Sequence, residues 1–93
     1  MVGFTSLILE EFSGRVTNLG GQPLEGKKVI LRKINTLVKW NTLTDTDGCY
    51  RFTDLEDGAY KVKLNRRQCG RVRSNVDITG GAKVNDVNLT CLK

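Results

Sequence analysis

Histidine is absent from the 93-residue chain. That removes the side chain most often used near neutral pH as general base and as metal ligand. A catalytic triad built on imidazole and a histidine-ligated zinc site are therefore excluded within this chain. Proline occurs once, tryptophan once, and aromatic residues make up 6%. No run approaches the ~20 apolar residues of a membrane-spanning helix, so membrane insertion is not expected. No segment holds an apolar stripe of helical period over four turns. Internal repeats and low-complexity linkers are missing too. The three cysteines, Cys49, Cys69 and Cys91, are too far apart for a zinc motif. Their odd number leaves at least one thiol unpaired in a monomer. Two readings stay open: buried free thiols packing as small hydrophobes, or one disulfide and with it an oxidising compartment.

What is present is glycine, at ten residues, together with short runs rich in Val, Ile and Thr. Such runs suit a pleated, half-buried surface. A chain of this length is one domain, and folding buries roughly 60–65% of its unfolded surface. Seven strand-like segments are separated by turn signals: residues 10–18, 27–34, 38–45, 49–55, 59–65, 71–79 and 84–92. Alternation puts Val29 and Leu31 on one face of the second, with Lys28, Ile30 and Arg32 on the other. Tyr50 with Phe52, Tyr60 with Val62 and Leu64, Val76 with Ile78, and Val87 with Leu89 and Cys91 form the expected interior. The third segment is ambiguous: Val38 and Trp40 point one way and Leu43 the other. A bulge would reconcile them; otherwise Trp40 is exposed. Tight connections imply antiparallel pairing in a two-sheet sandwich or barrel. "MVGFTSLILEEF" has no basic start and no small-residue cleavage site, so residues 1–9 read as an extra strand or an arm.

In "TDTDG", residues 44–48, aspartates precede a glycine and an apolar alternation. Asp bonds its own nearby backbone N–H groups and Gly accepts positive φ, so the stretch works as a turn with no metal. A calcium loop counted from Asp45 would place Gly48 at its fourth position rather than its sixth, although Glu56 falls at the twelfth. "SGRVTNLGGQPLEGKKVIL", "TLTDTDGCYRFTDLEDGAYKVKL" and "VDITGGAKVNDVNL" together resemble the carboxypeptidase regulatory-like domain, over residues 13–90. That family is one of the transthyretin-like, or prealbumin-like, sandwiches and is related to collagen-adhesin B-type repeats. The resemblance implies an all-β, seven-stranded antiparallel Greek-key sandwich, prealbumin-like or Ig-like. It also implies a non-catalytic accessory role at cell surfaces, in secreted enzymes or in outer-membrane proteins. The basic stretch 65–73 departs from the family's short link there. Some relatives carry a Lys–Asn isopeptide bond. Here the first strand has no lysine and the matching acid is missing, so Asn88 stands alone.

The net charge is +5, from 15 Lys and Arg against 10 Asp and Glu. Within residues 61–73, Lys61, Lys63, Arg66, Arg67, Arg71 and Arg73 occur with no acid among them. Such a run is a solvated face, a contact for the phosphates of nucleic acid, or a contact for an acidic partner protein or an anionic glycan. Nucleic acid is disfavoured because the run has no aromatic residue on which a base would stack. Trp40, flanked by Lys39 and Asn41, is a core residue or a platform for a sugar ring. The sequon Asn88–Thr90 lies inside an expected strand and reads as chance. Asp45, Asp47, Asp54, Glu56 and Asp57 all sit in turns, and Ser6, Ser13 and Ser74 have no base to activate them. Cys69 has Arg67 and Arg71 nearby, which favours a thiolate, but it has no histidine partner. The sequence thus reads as a spacer, stalk or docking module of a larger surface or secreted protein. It would use no cofactor and no metal, and its partners would be proteins or neighbouring domains. The alternative is a ligand-binding module, with carbohydrate on Trp40 or an anionic polymer on residues 61–73. An enzyme is the least favoured class, and the oligomeric state stays open.

Overall fold

A computed structural model describes residues 10–78, 83–84 and 87–93. The expected arm at residues 1–9 and the "TGGA" turn at 79–82 lie outside the described residues. The chain runs β1 (Glu10–Thr17), β2 (Lys28–Lys33), β3 (Lys39–Leu43), β4 (Cys49–Leu55), β5 (Gly58–Leu64), α1 (Arg66–Cys69), β6 (Arg73–Ile78), β7 (Lys83–Val84) and β8 (Leu89–Thr90). One sheet has the order β4-β1-β7, with β8 also pairing β1; the other has the order β3-β2-β5-β6. The expected all-β sandwich is present.

Period-two alternation decides which side chains go inside. Phe12 and Val16 from β1, with Tyr50, Phe52 and Leu55 from β4, meet Val29, Leu31, Tyr60, Val62, Leu64, Val76 and Ile78 of the second sheet. All are buried, and Leu89 and Cys91 close the bottom of this core. Phe12 stands edge-on to Tyr50, with ring centroids 5.8 Å apart, an arrangement favoured by the ring quadrupoles.

The third strand corrects one expectation. Its pairing with β2 runs unbroken from Lys28 opposite Leu43 to Arg32 opposite Lys39, with no bulge. Trp40 turns inward, half-buried, and its ring lies 5.8 Å from that of Tyr60. Leu43 goes outward, 63% exposed. Val38, just before the strand, continues this register, its carbonyl accepting from the Lys33 N–H at 3.2 Å, and stays 47% exposed. A bulge does occur elsewhere. Between Glu10–Leu55 and Phe12–Phe52 the register of β1 and β4 shifts by one residue, and Asp54 takes φ 61° to absorb it.

The last expected strand also differs. It is broken into β7 and β8, and both pair parallel to β1 rather than antiparallel. The break falls opposite Gly14, where the ladder is carried by other bonds. The Val87 N–H donates to the Ser13 carbonyl at 3.1 Å. The Arg15 N–H donates to the Asn88 side-chain oxygen at 3.1 Å. The Tyr50 hydroxyl donates to the Val87 carbonyl. Glycine is required at position 14, because a Cβ there would overlap that carbonyl oxygen and come within 2.7 Å of the Tyr50 hydroxyl.

Candidate functional site

The "TDTDG" turn is held by its own side chain. Asp45 Oδ1 accepts from the N–H groups of Asp47 and Cys49, each at 2.9 Å, and Gly48 takes φ 75°. Buried Thr44 beside it donates to the Leu24 carbonyl at 2.6 Å and accepts from the Lys27 N–H at 2.9 Å. The carboxylate that a metal would need first is thus occupied by backbone. Among the described residues, no cluster of three or more potential metal ligands occurs.

Residues 66–70, between two expected strands, were expected to be loop, but Arg66–Cys69 form a short helix. Asn65 caps α1, its side-chain oxygen accepting from the Arg67 and Gln68 N–H groups at 2.9 and 3.2 Å. Gln68 ties the helix to the sheet by accepting from the Lys28 N–H at 2.8 Å. Cys69 and Cys91 are joined by a disulfide and both are buried. The Leu92 N–H donates to the Cys69 carbonyl at 2.9 Å beside it. The open question of pairing resolves to one disulfide, with Cys49 free and half-buried. Cys69 therefore carries no thiol, and its nucleophilic reading falls.

Cross-strand register gathers the basic residues that the sequence scatters. On the outer face of the second sheet, Arg32 stands opposite Lys39 on one side and Lys61 on the other. In the next row Ile30 stands opposite Lys63, and Lys63 opposite Arg73. Lys28 extends the same face. Neighbouring strands are ~4.8 Å apart and alternate residues along a strand ~7 Å apart, so these cations form a grid. None of them makes an ion pair among the described residues; the ion pair Lys33–Glu56, at 3.3 Å, lies apart from the grid. Beside the grid a groove of about 330 Å³ is lined by Lys63, Arg66, Arg71 and Arg73, with Ile30 and Val72 as apolar floor.

Of the sequence candidates, Lys61, Lys63, Arg66, Arg71 and Arg73 come together. Arg67 lies outside the groove, near the chain's C-terminal residues, where its carbonyl accepts from Lys93 Nζ at 3.5 Å. Trp40 lies on the opposite, inner face of the sheet, packed against the core. Arg32, Lys39 and Lys28 were missed as site residues. Their alternation was legible, but the neighbours that make them part of one surface come only from pairing.

A second, more polar hollow of about 830 Å³ sits where β3 crosses to β4, lined in part by Arg15, Asp45, Cys49, Arg51 and Asn88. Asp45 and Asn88 are engaged by backbone N–H groups there. Burial pushes the Tyr50 hydroxyl well above the usual tyrosine range, which keeps it a hydrogen-bond donor to Val87.

Two face-packed sheets stapled at one end, with polar groups turned to the backbone, define a β-sandwich module. The family model of the carboxypeptidase regulatory-like domain matches residues 11–91, and the chain belongs to that family. No curated protein sequence matches it. Several solved structures share the fold. A DUF3823 family protein from Parabacteroides merdae superposes with a TM-score of 0.66 at 19% identity, over 88% of this chain and 45% of its own. A streptococcal ancillary pilin gives 0.68 at 16% identity, over 98% and 36%. A Pseudomonas aeruginosa protein proposed to bind carbohydrate gives 0.60 at 16% identity, over 88% and 86%. The chain spans less than half of the first two. No helix among the described residues is long and apolar enough to cross a membrane.

Proposed function

We propose that the chain is a non-catalytic structural and interaction module, a spacer, stalk or docking domain within a larger surface or secreted protein. One observation carries this reading: the side chains that chemistry would recruit are engaged in holding the fold. Asp45 closes a turn, Asn65 caps α1, and Asn88 replaces a ladder bond of β1. Tyr50 and Tyr60 donate their hydroxyls to backbone carbonyls, and Cys69 and Cys91 are spent on each other. Sandwiches of this shape form parts of longer proteins, an ancillary pilin among them. The disulfide supports an oxidising, extracellular setting. The test is deletion of residues 10–93 from the parent protein. Its other domains should keep their activity while the protein loses its attachment or assembly. Loss of turnover with assembly intact would contradict the proposal.

A second reading, ligand binding, is favoured by the cationic sheet face and groove. The likeness to a protein proposed to bind carbohydrate supports it. With Trp40 turned inward, this reading puts the contact on the outer face of the same sheet rather than on that ring.

A further inference from the structure

We infer that the outer face of the β3-β2-β5-β6 sheet, with the groove beside α1, binds an anionic polysaccharide. The inference rests on the ligand-binding reading and names its ligand class. Lys28, Arg32, Lys39, Lys61, Lys63 and Arg73 reach this face from four adjacent strands. Asp77, opposite Ala59, is the one acid among the described strand residues of the face, and it stands at the margin. A grid with one cation every ~5–7 Å matches a chain carrying an anionic group on each sugar or every second one, and binding would release that chain's counterions. Ile30 and Val72 supply an apolar floor in the groove, against which the C–H face of a sugar ring packs.

Other polyanions fit less well. The face presents no aromatic side chain, since Trp40 and Tyr60 both point inward. Single-stranded nucleic acid thus lacks its stacking platform. An acidic protein partner lacks the aromatic anchors on which protein interfaces concentrate their energy. The Cys69–Cys91 disulfide belongs to compartments where glycans are abundant. The staple also fixes α1, and with it Arg66, at the rim of the groove.

The test compares two variants of equal charge. Lys63→Gln with Arg73→Gln removes a cross-strand pair from the groove; Arg15→Gln with Arg51→Gln removes two exposed cations from the outer face of the other sheet. All four side chains are on outer faces, so folding is checked simply by circular dichroism. Affinities are measured for heparin, polygalacturonate and duplex DNA at fixed salt. The inference expects the groove variant to lose at least tenfold on one of the glycans and the other variant less than twofold. Preference for heparin over polygalacturonate would assign sulfate, and the reverse carboxylate. Equal losses in both variants would reduce the effect to net charge and overturn the site. Tighter binding of DNA than of either glycan, lost with the groove pair, would overturn the glycan class while leaving a ligand-binding face. Binding to none of the three would overturn both.

Discussion

Among the described glycines, Gly14 is the one at which a Cβ would meet its neighbours most closely. The broken edge of β1 brings the Val87 carbonyl and the Tyr50 hydroxyl over its Cα. Gly14→Ala forces a methyl group into that contact. We expect it to cost about 3 kcal/mol, the upper end for overpacking, read as a lowered denaturation midpoint. Tyr50→Phe removes the hydroxyl and strands the carbonyl, costing about 1 kcal/mol at neutral pH. The pH dependence follows from burial, which raises the folded-state pKa of Tyr50. An unfolded tyrosine titrates near pH ~10. Above that, the unfolded chain sheds a proton that the folded chain keeps, so the wild type loses up to ~1.4 kcal/mol per pH unit from this group. The phenylalanine variant loses nothing there. Urea titrations from pH 7 to 11, in a Cys49→Ser background that blocks thiol exchange, should show a gap between the two that is full below pH ~10 and shrinks above it. A gap independent of pH would show that Tyr50 is not buried as described. At this scale the turn role of Asp45 was legible, because aspartate bonds its own backbone wherever the chain reverses. The need for Gly14 was not, because it depends on Val87, 73 residues further along the chain.

Among the elements, α1 and the closing strands carry the least local signal. Four residues bury only Cys69 and contain two arginines in one turn, so no helical stripe can show. The helix exists because Asn65 caps it, Gln68 bonds to β2, and Cys91 holds Cys69. Closing a loop with a sequence separation of 22 residues is worth about 3 kcal/mol through the unfolded state. We therefore expect Cys69→Ser with Cys91→Ser to lower stability by that amount. In hydrogen exchange, the Gly70 and Leu92 amides should open first. Uniform loss of protection across both sheets would contradict a local staple. The six longer strands were legible in the sequence, since their alternation is dictated by the faces they present. The split of the last strand was not, because Asn88 satisfies β1 through its side chain and alternation says nothing of parallel partners. Trp40 was ambiguous for a related reason: which face of β3 turns inward is decided by its pairing opposite Leu31 of β2.

For the molecule as a whole, the two sheets divide the work. Their inner faces make one core, and Tyr50, Gln68 and Asn88 bond the backbone at its margins. Among the described residues, the outer face of the β3-β2-β5-β6 sheet carries more unneutralised positive charge than that of the other sheet. The excess of basic residues was plain from composition. Its gathering onto one surface was not, because Arg32 and Lys39 join Lys61 only through strand pairing. We propose that the module works through this face. The deciding measurement is amide chemical-shift mapping on the isotope-labelled domain, titrated with a heparin oligosaccharide. Saturable shifts are expected in β2, β5, β6 and α1 alone, with β1 and β4 silent. Absence of shifts, or shifts centred on Arg15 and Arg51, would contradict the proposal.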